Sequence, residues 1–410
     1  MKLGKQSQIL EDFVGGIVSN SPFPKTKKQL LSPMSRLFLK RLLDRLRIAY
    51  NHFRHDLLTK IAFPTNTWQQ SDLFTSIPAD IRDIIVCSPK TVQSYEFTVG
   101  SRNVRIHMLL PGRDQRARQQ TQDYFLHTAI LTWLWFHTVS ENIQDGCAQS
   151  LDIYLYLTRH YKMKPEKGAI NIIHANTAYT RTCTPTAVIQ IFREEEWFKV
   201  LVHETFHTLG LDFSDMPEFT THYCKTLQNM FHVKTDGLLF ETYCEIWATI
   251  VNTMFVAAFS AGPVRTLENN SKIITKMENM FSTESQYSLF QSAKVLRHMG
   301  ISYADFIHPD TPASQAKLRQ YREHTNVLCY YVLKSVLLYH LDHFLQWCWV
   351  HNDGSLRFVK TPGNLKSFYA MIRHLYRSRM YVKEHLHMET HVKHGEHGFE
   401  QRTLRMTIYG

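Results

Sequence analysis

The 410-residue chain is 44% apolar and 20% charged, an ordinary globular composition that excludes a largely disordered polypeptide. At ~150 residues per domain, two to three units are expected. The net charge of +11 is confined to the ends: residues 1–60 hold 12 Lys/Arg against 4 Asp/Glu, residues 371–410 hold 7 against 4, and residues 61–370 hold 28 of each. The middle of the chain is therefore not expected to work through a global positive field.

Seven cysteines, at 87, 147, 183, 224, 244, 329 and 348, are widely spaced and include no Cys-x-x-Cys pair. Neither a zinc ribbon nor a thioredoxin-type site is suggested, and the cysteines read as reduced, mostly buried thiols of an intracellular, cytoplasmic protein. The first residues hold no apolar run of signal-peptide length. No stretch reaches the ~20 apolar residues of a transmembrane segment.

Residues 1–33, with SNSPFPK and LSPMS, read as a loosely ordered arm. From Ser35 to about Lys60, apolar residues recur at 39, 42, 43, 46, 50, 53 and 57 with helical period, leaving Arg36, Lys40, Arg41, Arg47 and Arg54 on the remaining surface. This helix is expected to pack on its own domain with a solvated basic face. The alternative is a surface for an acidic partner or nucleic acid. Residues 94–110 read as two strands around a Gly-Ser-Arg-Asn turn, 119–142 as a long helix, and 151–158, 169–180 and 187–192 as three further strands. Helices are expected over 194–209, 218–232, 238–258, 272–282, 286–298, 324–350 and 364–380, with breaks at 260–271 and 352–364. Strands first and helices after argue an α+β fold rather than alternating βαβ units. Near the C-terminus, His385, His387, His391, His394 and His397 are irregularly spaced beside Gly395 and Gly398, and read as a solvated His-rich tail.

Residues 203–207 are His-Glu-Thr-Phe-His, within EEEWFKVLVHETFHTLGLDF, a run free of proline with Gly210 as a C-terminal stop. On a helix, His203 and His207 project from one face a turn apart and can grip one Zn²⁺, while Glu204 can take a proton from a metal-bound water. Trp197, Val200, Leu201, Phe206 and Leu209 make the helix a buried one, where two histidines and a glutamate are costly without partners. A catalytic zinc needs a third protein ligand and an open fourth position. Asp212, Asp215, His222, Glu241 and Glu245 are the candidates. Asp212 lies five residues after His207, one short of the metzincin spacing, where Phe213 stands, and ranks second. Glu241 follows His207 after 33 residues, on the apolar helix FETYCEIWATIVNTMF, with Glu245 one turn further on the same face.

The pentapeptide and Phe240-Glu241-Thr242-Tyr243-Cys244-Glu245 together resemble the gluzincin metallopeptidases. In that family a helical Glu some tens of residues after HExxH completes the metal site, and an acid four residues later hydrogen-bonds a ligand histidine. The resemblance implies Glu241 as third zinc ligand and Glu245 as the carboxylate that fixes a ligand imidazole. Phe240 departs from the family's usual Asn, which leaves 241 against 245 less firmly fixed. The longer run IQIFREEEWFKVLVHETFHTLGLDF, with HANTAYT before it and ETYCEIWA after, also resembles metallopeptidase-like proteins of large nucleocytoplasmic DNA viruses. That likeness covers about residues 165–260 and would place the protein in host cytoplasm or virion.

The gluzincin resemblance further implies a zincin-like fold, with a small mixed sheet and zinc helix followed by a mainly helical subdomain. It also implies an edge strand, NTAYT at 176–180 or VIQIF at 188–192, that holds extended peptide. Tyr330, Tyr331, His324 and Arg322 are candidate oxyanion donors. The expected organisation is a basic N-terminal arm and helical region at 1–93, a catalytic subdomain at 94–260, a helical subdomain at 261–380 and a basic tail at 381–410. The expected function is a zinc-dependent endopeptidase acting on polypeptide. The alternative is a virion-associated or assembly protein that keeps the scaffold without turnover.

Overall fold

A computed structural model describes residues 4–23, 31–64, 69, 71–112, 118–260, 270–393, 395 and 398–410. The chain is α+β: a six-stranded mixed sheet with helices comes first, and a mainly helical region follows. It divides into two compact units interleaved in sequence, residues 39–161 with 177–215, and residues 1–38 with 162–176 and 216–410.

The first unit holds the sheet. Strands β1 (Thr59–Ile61), β2 (Lys90–Val99), β3 (Arg102–Pro111), β4 (Ser150–Tyr156), β5 (Ala178–Thr180) and β6 (Thr186–Ile191) lie in the order β1-β2-β3-β4-β6-β5. The β2–β3 hairpin closes with Val99 opposite Arg102, and Gly100 takes φ +59°, the left-handed backbone such a two-residue turn requires. β3, β4 and β6 run parallel, and β5 returns antiparallel to β6 at the sheet edge. Phe74, Ile77, Ile81 and Ile85 cover Leu109, Tyr154, Tyr156 and Phe192, and Tyr179 of β5 packs on that cluster. The next residue, Thr180, instead hydrogen-bonds Thr208 Oγ1 at 2.9 Å. Successive strand residues face opposite ways, so the helix Trp197–Thr208 lies on the other face. There Trp135, from the helix Arg118–Val139, donates its Nε1–H to Thr205 Oγ1 at 2.9 Å.

Cys147 and Cys183 form a disulfide with Cα atoms 4.6 Å apart, which corrects the reading of every cysteine as a thiol. Their separation of 36 residues hid the fact that β4 and β6 are neighbours. Cys244, Cys329 and Cys348 are buried thiols as expected, and Cys87 is exposed.

In the second unit the helix Asn270–His298 is packed by Lys5–Ser19, Leu239–Phe259, Lys334–Tyr339 and Arg379–Thr390. Three expectations are corrected here. Residues 5–19 form a helix rather than a loose arm, because Leu10, Val14 and Ile17 make a buried stripe. Residues 272–298 lie in one helix rather than two, and Glu284, between the two expected helices, is buried and accepts from the Ile408 backbone N–H at 2.9 Å. The C-terminal segment is no solvated tail. His385 is buried and hydrogen-bonds Ser292 at 2.8 Å, and Leu404, Met406, Ile408 and Tyr409 are buried. That alternating apolar run outweighs the histidines beside it. His394 and His397 lie outside the described residues.

Smaller differences concern 169–180, where a short helix Ile172–Ala175, capped by Asn171, leaves strand only at 178–180. The expected helix 324–350 starts as a π-helix, Leu328–Leu333, and is interrupted at His340. The basic helix, Pro33–His52, buries Phe38, Leu39, Leu42, Leu43 and Leu46. Arg36 pairs with Glu278 at 2.8 Å, Arg45 with Glu141 at 2.6 Å and Arg47 with Asp44 at 2.8 Å, so part of its charge is answered within the chain. Among the described residues no helix is long and apolar enough to cross a membrane.

Candidate metal centre

The helix Trp197–Thr208 is buried continuously from Phe198 to Thr208. Its end is a Schellman motif: Leu211 N–H donates to Phe206 O at 2.8 Å and Gly210 N–H to His207 O at 3.2 Å. Gly210 has φ +66°, and a Cβ there would stand 2.9 Å from Cys147 Sγ and from Gln144. Gly210→Ala is therefore expected to destabilise the fold by roughly 2–4 kcal/mol, backbone strain and overpacking together. A lowered denaturation midpoint at unchanged m-value would show it.

This helix carries His203 and His207 on one face, 5% and 8% exposed. Their Nε2 atoms converge to 3.3 Å. Two nitrogens bound tetrahedrally to one Zn²⁺ at ~2.0–2.1 Å stand about 3.3 Å apart, so the pair already has the spacing a shared ion needs. Asp212, fully buried, contacts His207 Nδ1. With the Nδ1–H donated to that carboxylate, His207 Nε2 keeps its lone pair for a metal. Burial alone would raise the Asp212 pKa, but His207 and hydrogen bonds from Ser214 outweigh it and hold the carboxyl below its ordinary value. Ser214 donates from its backbone N–H at 3.2 Å and its Oγ at 2.8 Å.

Glu241, 9% exposed, lies in the first turn of the helix Leu239–Phe259. One ligand atom from each of His203, His207 and Glu241 lies within 4.8 Å of the others, a buried group that could hold a metal ion. The donor set of two imidazoles and a carboxylate suits zinc. Asp212 stands on the other nitrogen of His207; with His207 and Cys244 it forms a second, overlapping group. Asp212 places a carboxylate on the His207 imidazole, brought there by the tight turn after Gly210. Glu245 is buried one turn beyond Glu241. Asp212→Asn is expected to weaken metal binding about 10–100-fold, by analogy with other carboxylates that orient a ligand histidine. Competition with a chromophoric chelator would measure it.

Glu204 is 9% exposed. Tyr179, on edge strand β5, has its pKa pushed up to about 12, by burial first and then by the Glu204 charge. Sequence reading passed over this tyrosine, although it sits inside NTAYT. Of the two segments considered for an edge strand, NTAYT provides it and VIQIF is interior. Tyr331 donates its hydroxyl to Leu404 O at 2.7 Å. Tyr330 is buried on the π-helix, whose Cys329 O accepts from Thr242 Oγ1 at 3.3 Å, beside Glu241. The His324 backbone N–H donates to Ile170 O at 3.1 Å.

Fold and site define an α+β protein carrying a buried His-His-Glu group that could hold a metal ion. No protein-family model, curated protein or solved structure matches the chain.

Proposed function

We propose that the protein is a zinc-dependent endopeptidase. The observation that carries this reading is the convergence of His203 and His207 Nε2 at 3.3 Å, grouped with Glu241. In this reading His203, His207 and Glu241 hold the metal, which supplies Lewis acidity and lowers the pKa of water towards ~7. Glu204 takes the proton of the attacking water and delivers it to the leaving amine. Asp212 holds His207 in one tautomer, and Glu245 is assigned the same task for His203. The outer edge of β5 pairs with an extended polypeptide through main-chain hydrogen bonds, and Tyr330 is the candidate donor to the developing oxyanion. Incubation with an unfolded polypeptide tests the reading. Internal cleavage, abolished by a chelator and restored by zinc, is expected, and intact substrate under all metal conditions would refute it.

A further inference from the structure

We propose that the cavity lined by Lys164, Lys167, Lys393, Arg402 and His298 binds a small phosphate-bearing anion. Its volume is about 370 Å³, at the low end of the ~300–1,000 Å³ typical of small-molecule pockets. Lys164, Lys167, Lys393 and Arg402 line it together with His298, and Glu166 is the one carboxylate among its described lining residues. Four cations thus face one concavity, with one carboxylate among its described lining residues. The walls are held by backbone. Lys164 N–H donates to Arg402 O at 2.7 Å, Met163 bridges Thr403, and His298 Nε2–H donates to Gly168 O at 2.8 Å.

A buried lysine stands behind this wall. Lys294, 1% exposed, donates its Nζ to Glu400 O at 2.7 Å and Thr403 O at 2.6 Å. Both acceptors are backbone carbonyls. Burial pushes the Lys294 pKa well down, the Lys164 charge adds to it, and the Glu400 carboxylate opposes it in part. Lys164 is lowered in turn by burial and by Arg402. These mutually repelling cations are relieved when an oxyanion enters, and a phosphate offers several acceptor oxygens to Lys ammonium groups and to the planar fork of Arg402. A concavity of this volume fits one phosphoryl group with a small body attached. A nucleic-acid strand would instead need an extended basic track.

The full-length protein would be titrated calorimetrically with inorganic phosphate, a nucleoside monophosphate and a short single-stranded oligonucleotide, each at matched ionic strength in chloride. Saturable binding of phosphate or the monophosphate is expected. The tighter of the two tells a free anion from a phosphorylated metabolite. Lys167→Glu and Arg402→Glu, both at exposed positions, should each weaken it at least tenfold, and Glu166→Gln should tighten it. Absence of saturable binding of both phosphate and the monophosphate, equal binding by all variants, or binding of the oligonucleotide alone would overturn the proposal. The Glu166→Gln arm keeps the test decisive if a charge reversal fails to fold, because it removes repulsion without adding any.

Discussion

Glu204→Gln is expected to leave metal content unchanged and to lower peptide hydrolysis by about 10²–10⁴-fold, the usual weight of a general base. Glu204 stands between the two histidines in sequence, yet on a helix it points a step round from both, so replacing it removes no metal donor. Gln keeps the volume and a hydrogen-bonding carbonyl but cannot accept the proton of the attacking water. Packing of the buried helix should survive, and the denaturation midpoint should stay near that of the parent protein. The measurement is a pair: metal per chain by elemental analysis and initial cleavage rate on one preparation. Metal retained with rate lost supports the assignment. An undiminished rate would remove Glu204 from the chemistry.

Glu241→Ala is expected to do the opposite, losing metal and activity together. With the carboxylate gone, two imidazoles remain, and a catalytic zinc site ordinarily has three protein ligands. The loss should also reach stability. A ligand present at 100 times its dissociation constant stabilises the folded state by ~2.7 kcal/mol, so a variant that no longer binds metal forfeits that increment. Thermal unfolding with and without added zinc would show a metal-dependent rise for the parent protein and none for Glu241→Ala. Glu245→Ala, by contrast, should weaken binding without abolishing it. If Glu245→Ala alone emptied the site, the two roles would be exchanged.

The helix of the candidate metal centre was the most legible part of the chain. His203, Glu204 and His207 are spelled in five consecutive residues, the apolar pattern buries them, and Gly210 ends the helix where a left-handed residue is needed. Glu241 was legible through spacing on an apolar helix. The part played by Asp212 was not. Five residues after His207 it fits no simple helical or metzincin spacing, and only the turn behind Gly210 brings it to the imidazole Nδ1. Long-range pairings were hidden for the same reason: the parallel neighbours β4 and β6, and the disulfide across them, join segments that share no local pattern. The C-terminus misled because its histidines drew attention from Leu404, Met406 and Ile408, whose burial decides where the segment goes.

The most direct test of the central claim is the metal content of the native protein, purified without chelators or metal-affinity resin. One zinc per chain is predicted, falling to zero in a His203→Ala/His207→Ala double variant that remains folded. A native protein that carries no metal and takes up none from micromolar zinc would contradict the account.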